Sequence, residues 1–178
     1  MQRNILLLGD PRLRRIAEKV RNTSDVQFLE EKEQLKTALE KFREEKKFGR
    51  GIAAPQIGIN KRFVALNIGE RSFTIINPVI TWKSRETFRL WDDCMSFPDL
   101  LVKVKRHTSV SLKYLDENGE EQVLEKLDPA YSELLQHELD HLDGILAVDR
   151  AIDKESIMYR SVFESNKDFF LQQVDSVI

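Results

Sequence analysis

His137 and His141 stand four positions apart with Glu138 between them, in the stretch "QHELDHLDG" of residues 136–144, and the chain has only three histidines. On a helix, residues i and i+4 project from one face, so both imidazoles can reach a single ion. Glu138, one position round, can reach a water on that ion. The chemistry that fits is metal-assisted hydrolysis with a carboxylate as the acid–base group. The same spacing also arises in a polar helix that binds nothing, so the pattern alone leaves both readings open.

A catalytic metal ordinarily takes three protein ligands and keeps one position for water. His107, in "VKRHTSV", is one candidate for the third ligand, but strand alternation there fits a surface role equally well. Cys94, the sole cysteine, is the better candidate. It lies in "WDDCMSFP", and its thiolate suits zinc or ferrous iron. The competing reading of a lone cysteine is a small buried hydrophobe. A third stretch, "FGRGIAAPQIG", sets Gly49 and Gly51 around Arg50 and then places Gln56 after two alanines. Small residues let another chain approach the backbone, and the Gln56 amide can donate a hydrogen bond.

The elements that must position these residues follow from periodicity. Ser24 followed by Gln27 resembles a capping box, and Phe28, Leu35, Leu39 and Phe42 recur at helical spacing, which predicts a helix over about 25–46. "RFVALNI" and "SFTIINPVI" read as strands separated by a turn, while "SVSLKYL", "DENG" and "EEQVLEKL" read as a hairpin. Asp128 fits an N-cap and Pro129 a first helical position, opening a helix that carries the His137–His141 pattern and stops near Gly144. A last amphipathic stretch, about 154–173, reads as helical. The order helix, strands, helix predicts an α+β fold with a helix packed on antiparallel sheets.

Composition bounds the rest. With 178 residues and no repeat or linker, the chain reads as one domain over 1–178, long enough to bury about two-thirds of its unfolded surface. A net charge of -2 gives no general reason to bind nucleic acid or an anionic membrane. The apolar run "NILLL" is too short for a signal peptide or a membrane span, and a single cysteine forms no internal disulfide, so the expected compartment is the cytoplasm.

Taken in order, "GRGIAAPQ", "DDCMS" and "QHELDH" resemble the three signature motifs of the peptide deformylase family, and "ILLLGDPRLRRIAEKV" and "IINPVI" resemble it too, over about residues 4–150. The resemblance implies a single catalytic domain of antiparallel sheets packed around a central helix. It implies that Cys94, His137 and His141 hold one divalent metal, Fe2+ by family and Zn2+ or Ni2+ by ligand type, with water as the fourth ligand. Glu138 would deprotonate that water and pass the proton to the leaving amine. Gln56 and the backbone N–H of Met95 would donate to the formyl oxygen. The products would be formate and a free N-terminal methionine on a nascent chain. The peptide would pair as an extended strand near Gly49, Arg50 and Gly51. An alternative keeps the hydrolytic site but gives it another N-formyl or N-acyl amine; a third keeps the fold without catalysis.

Two departures from that family's pattern bear on substrate. Asp92-Asp93 stands where Glu-Gly is usual, and Met95 where leucine is. Asp92 keeps an acid that can pair with Arg106. Asp93 adds bulk and charge beside the cleft, and Arg50 is expected to face it across the mouth. Glu133, one turn before His137, lies near where the family keeps an apolar pocket for methionine. It reads either as a specificity residue favouring a polar or cationic side chain, or as a solvated charge or a histidine's partner. Residues 151–178 hold Lys154, Arg160 and Lys167 against Asp153, Glu155, Glu164, Asp168 and Asp175, which disfavours docking on a ribosome through this segment. Ile157, Val162, Phe169 and Phe170 there can pack on the body or on a second subunit, so a monomer and a homodimer both fit.

Overall fold

The computed structural model describes residues 3–69 and 71–175. A 3-10 turn at Pro11–Arg14 precedes α1 (Val26–Lys46), β1 (Gly51–Ala53), a second 3-10 turn (Ala54–Ile57), β2 (Phe63–Ile68) and β3 (Arg71–Lys83). Next come β4 (Thr87–Asp93), β5 (Leu100–His107), β6 (Val110–Leu115), β7 (Glu121–Leu124) and α2 (Pro129–Leu142). The chain closes with β8 (Ile157–Tyr159), α3 (Arg160–Ser165) and α4 (Lys167–Leu171). The class is α+β, as expected.

Phe28, Leu35, Leu39 and Phe42 are all buried on α1, which accounts for the helix. Its cap is displaced by one residue from the expected position. Asp25, not Ser24, is the N-cap, and its carboxylate accepts the Phe28 N–H at 3.0 Å. The Ser24 N–H donates instead to Asn22 Oδ1, within the preceding turn.

Two antiparallel sheets carry the core. One has the order β1-β2-β3-β6-β7, the other β4-β5-β8. β1 is an edge strand, paired with β2 alone among the described residues. The β4–β5 hairpin, which was not among the strands expected from the sequence, pairs from Thr87↔His107 to Asp93↔Leu101. That register carries Asp92 and Cys94 to the end of the hairpin next to α2.

α2 packs against β1 on one side and β5 on the other. Asp128 caps it by accepting the Tyr131 N–H at 2.9 Å, and Leu134, Leu135, Leu139 and Leu142 join Val64, Leu66, Ile75 and Leu112 in one cluster. Every residue from Ser132 to Leu142 is buried. A helix this polar can sit between two sheets only if its buried polar groups find partners, which is what the site below supplies. The N-terminal segment laces the parts together from beneath. Leu6 N–H donates to Gln56 O (2.7 Å), Leu8 N–H to Ser96 O (2.8 Å) and Ala17 N–H to Leu142 O (2.8 Å).

The expected helix over 154–173 is a strand and two short helices instead. Ile157–Tyr159 takes the open edge of β5, with Leu100 opposite Tyr159 and Val102 opposite Ile157, because that edge offers backbone hydrogen bonds an isolated helical turn does not. Asn166, at φ -136, then separates α3 from α4. The apolar spacing is satisfied all the same, since Phe163 and Phe170 pack on Trp91.

Candidate active site

A cleft of about 830 Å³ opens between the start of β1, the end of β4 and the buried face of α2, with Gln56, Cys94, His137 and Glu138 among its lining. At its floor three donor atoms converge. His137 Nε2 lies 3.2 Å from His141 Nε2, which lies 3.3 Å from Cys94 Sγ, and the donors of Cys94, His137 and His141 all fall within 4.8 Å of one another. All three residues are buried. A thiolate and two imidazoles aimed at one point, facing a cleft that admits a further ligand, fit a divalent zinc- or iron-type ion.

The orientation of these donors has a visible cause. His137 Nδ1 lies 2.9 Å from Asp92 Oδ1, which leaves Nε2 for the cluster. Asp92 accepts from Arg106 at 3.1 Å; Arg106 also pairs with Asp140, and Asp140 with Arg150 at 2.7 Å. Burial alone would push the Asp92 carboxyl up, but His137 and Arg106 outweigh it and hold it at about 2. The expected pairing of Asp92 with Arg106 is thus present, and it forms the buried end of an ionic chain that runs behind the cluster through Asp140 to the exposed Arg150.

Glu138 is 3% exposed, and its Oε2 has no partner among the described residues. Burial raises its carboxyl to about 7, a value at which it both takes and gives a proton near neutrality. The space it occupies depends on Gly51, where an added Cβ would lie 2.8 Å from Glu138 Oε1. Gln56 sits in the 3-10 turn after β1. Its Oε1 accepts the Ala53 N–H at 2.8 Å, which turns Nε2 toward Ser96 Oγ (3.2 Å) and Cys94 Sγ (3.7 Å). Met95 follows Cys94 directly, and its side chain lies against Gly49, whose φ of +105 is a glycine conformation.

The charged rim differs from expectation. Arg50 does not face Asp93. Its guanidinium pairs with Glu133 and donates to Ala130 O at 3.2 Å, while Asp93 pairs with Arg160 at 3.0 Å. Arg50 reaches across to α2 because Glu133 is only 2% exposed there, and a carboxylate so deeply buried requires a cation. Glu133 is therefore no solvated charge. His107 is remote from the cluster: its Nδ1 lies 2.7 Å from Ser84 O, and its backbone is bracketed by Gln136. Sequence reasoning missed Ser96, although it lies in the quoted "WDDCMSFP", because nothing in a sequence marks a serine that orients a distant glutamine. It also missed Arg160 and Phe48, which meet only in the folded chain, and Trp91, which meets Phe163 and Phe170 there.

Comparison with known proteins agrees with this geometry. Residues 2–156 match the model of the polypeptide deformylase family. A peptide deformylase of Brachyspira hyodysenteriae is 34% identical over 160 residues, spanning 84% of this chain and 81% of that protein. The crystal structure of peptide deformylase from Thermotoga maritima superposes with a TM-score of 0.78 at 32% identity, covering 86% of this chain and 99% of that one. A peptide deformylase from Synechococcus elongatus, crystallised in complex with actinonin, gives 0.77 at 32% identity, covering 85% and 80%.

Proposed function

The chain belongs to the polypeptide deformylase family, and from that membership we infer that it hydrolyses the N-formyl group of nascent peptides, releasing formate, with Cys94, His137 and His141 holding the metal. The observation that carries this reading is the convergence of those three donors within 4.8 Å beside a buried, unpartnered Glu138 oxygen. A divalent ion there, Fe2+ in our reading, supplies Lewis acidity that polarises a carbonyl and lowers the pKa of water.

The remaining steps belong to the chain. Glu138 accepts a proton from the attacking water and returns it to the departing amine, a double task suited to a carboxyl at about 7. Gln56 Nε2, its amide already turned by the Ala53 N–H, donates to the formyl oxygen as charge develops, together with the Met95 N–H. Because this donor is fixed before substrate arrives, little reorganisation accompanies the reaction. The peptide lies alongside β1, an edge strand among the described residues whose first residue, Gly51, lines the cleft together with Gly49 and Arg50, so main-chain hydrogen bonds bind it with little regard to sequence. The reaction takes place in the cytoplasm in this reading. No described helix is long and apolar enough to cross a membrane.

A second reading rests on the Arg50–Glu133 pair in the cleft wall. An ion pair is a poor neighbour for a methionine side chain, so this pair favours a formylated residue or amine of more polar character. The test is formate release by anaerobically purified, iron-loaded protein from formyl-Met peptides and from peptides with a polar or charged formylated residue, with Glu138→Ala as control. Glu138-dependent release that favours formyl-Met upholds the first reading. Release favouring the polar series upholds the second. No release from either, with metal bound, sinks both.

A further inference from the structure

Asp93 puts a carboxylate on the lining of the cleft, where Glu40 and Glu44 of α1 stand beside Arg43, Lys47 and the Glu133-paired Arg50. What meets Asp93 comes from the far end of the chain, past residue 156 where the family match stops. Arg160 donates to Asp93 Oδ2 at 3.0 Å. The same guanidinium lies 4.5 Å from the ring centroid of Phe48, another lining residue. Two more contacts fix it from behind: its Nε donates to Pro98 O at 2.9 Å, and its backbone N–H to Asp99 O at 2.7 Å. Phe48 leads into β1 of the larger sheet and Asp93 ends β4 of the smaller one, so Arg160 joins the two sides of the cleft at its mouth.

Ten residues on, the same segment braces that wall again. Trp91 lines the cleft, packs edge-on against Phe163 and Phe170, and donates its indole N–H to Phe170 O at 3.0 Å. The C-terminal segment thus touches three lining residues without carrying any group of the metal site.

We propose that Arg160 is a positioning residue that sets which peptides the cleft accepts: by cancelling the Asp93 charge and tying Phe48 to Asp93, it lets peptides with acidic residues after the formylated one bind as well as basic ones. The proposal rests on the deformylase reading, yet its test uses binding rather than turnover. Without Arg160, Asp93, Glu40 and Glu44 outnumber Arg43 and Lys47 in the lining, and the mouth, its Arg50 already taken by Glu133, repels carboxylates and attracts ammonium groups. The departure from glycine at position 93 is then tolerated because a cation from another segment offsets it.

Three formyl peptides of equal length, with Asp, Gln or Lys at the two positions after the formylated residue, are titrated calorimetrically into metal-loaded Glu138→Ala protein, with and without Arg160→Ala. Removing Arg160 is expected to weaken binding of the Asp peptide about fivefold and leave the Lys peptide unchanged or tighter, the size of a half-exposed charge pair. Arg160→Lys restores most of the difference, and adding Asp93→Gly abolishes it. In the protein with Glu138 intact, the change falls on KM more than on kcat. An equal loss for all three peptides, a charge preference that survives Asp93→Gly, or a failure of lysine to rescue would overturn the proposal. Failure of the deformylase reading appears separately, as absent formate release.

Discussion

The floor and the mouth of the cleft are both lined with charge, but they hold it differently. At the floor Asp92 and Arg106 are about 95% buried, and they form with Asp140 and Arg150 a continuous chain behind His137. At the mouth Arg50 and Arg160 keep 39% and 27% of their side chains exposed, and each pairs with a single carboxylate. A charge taken wholly out of water must be partnered with good geometry, so each member of the floor fixes the next and finally the imidazole. The arginine of a mouth pair is screened by water and can turn to solvent, so losing its own partner costs it little. The floor therefore sets the chemistry, and the mouth is where sequence can drift and specificity can be tuned.

The strongest way to break this contrast is at the cluster itself. His141→Ala or Cys94→Ala leaves two donors, and metal affinity is expected to fall by more than about 100-fold, since loss of mere supporting partners costs 10–100-fold. Metal analysis after dialysis reads this directly. A full equivalent retained by either variant would remove that residue from the ligand set. Chelation of the unmutated protein abolishes formate release, and added metal restores it.

Next in size is the chain behind the cluster. Arg106→Met leaves the buried Asp92 carboxylate with His137 alone and Asp140 with Arg150 alone, and a loss of about 3–5 kcal/mol is expected in urea unfolding of metal-free protein. The mouth should respond less, and asymmetrically. Arg50→Leu strands the buried Glu133 carboxyl and costs about 1–3 kcal/mol at neutral pH, whereas Glu133→Leu leaves an arginine that can turn to water and costs less. The first variant also carries a pH signature. Burial already raises the Glu133 carboxyl, and Arg50 opposes that rise. Without Arg50 the folded protein holds its proton to higher pH than the unfolded chain does. The contribution of Glu133 to stability is then greatest in acid, below the ordinary carboxylate range, and is lost as pH rises through the elevated value. Equal losses for Arg50→Leu and Glu133→Leu would erase the distinction between floor and mouth.

What the sequence disclosed divides along the same line. The cluster was legible because it is built from short-range spacing: His137, Glu138 and His141 share one helix, and Cys94 is the chain's single thiol. The helix that carries them was legible from Asp128 and Pro129 at its start and Gly144 at its end. The mouth was not, because its contacts join residues 83 and 67 positions apart, Arg50 to Glu133 and Asp93 to Arg160. Opposite charge alone cannot say which acid an arginine will choose, and the expected Arg50–Asp93 pair failed for that reason. The C-terminal segment was misjudged likewise, since its choice between helix and strand was made by the free edge of β5.

The smallest error is the most local, and it supplies the finest test. Ser24 and Asp25 are adjacent, both are good capping residues, and each has a plausible start of α1 three positions on. Propensity cannot separate them. The folded backbone does: Asp25 takes the extended conformation of a cap and its carboxylate accepts the Phe28 N–H, while Ser24 is held in the preceding turn by Asn22. Asp25→Ala should therefore cost about 1 kcal/mol in thermal or urea unfolding, while Ser24→Ala, whose backbone N–H rather than side chain serves the turn, should be near silent. Equal costs would mean that the two caps share α1, and that the Asp25–Phe28 hydrogen bond does not decide its first turn.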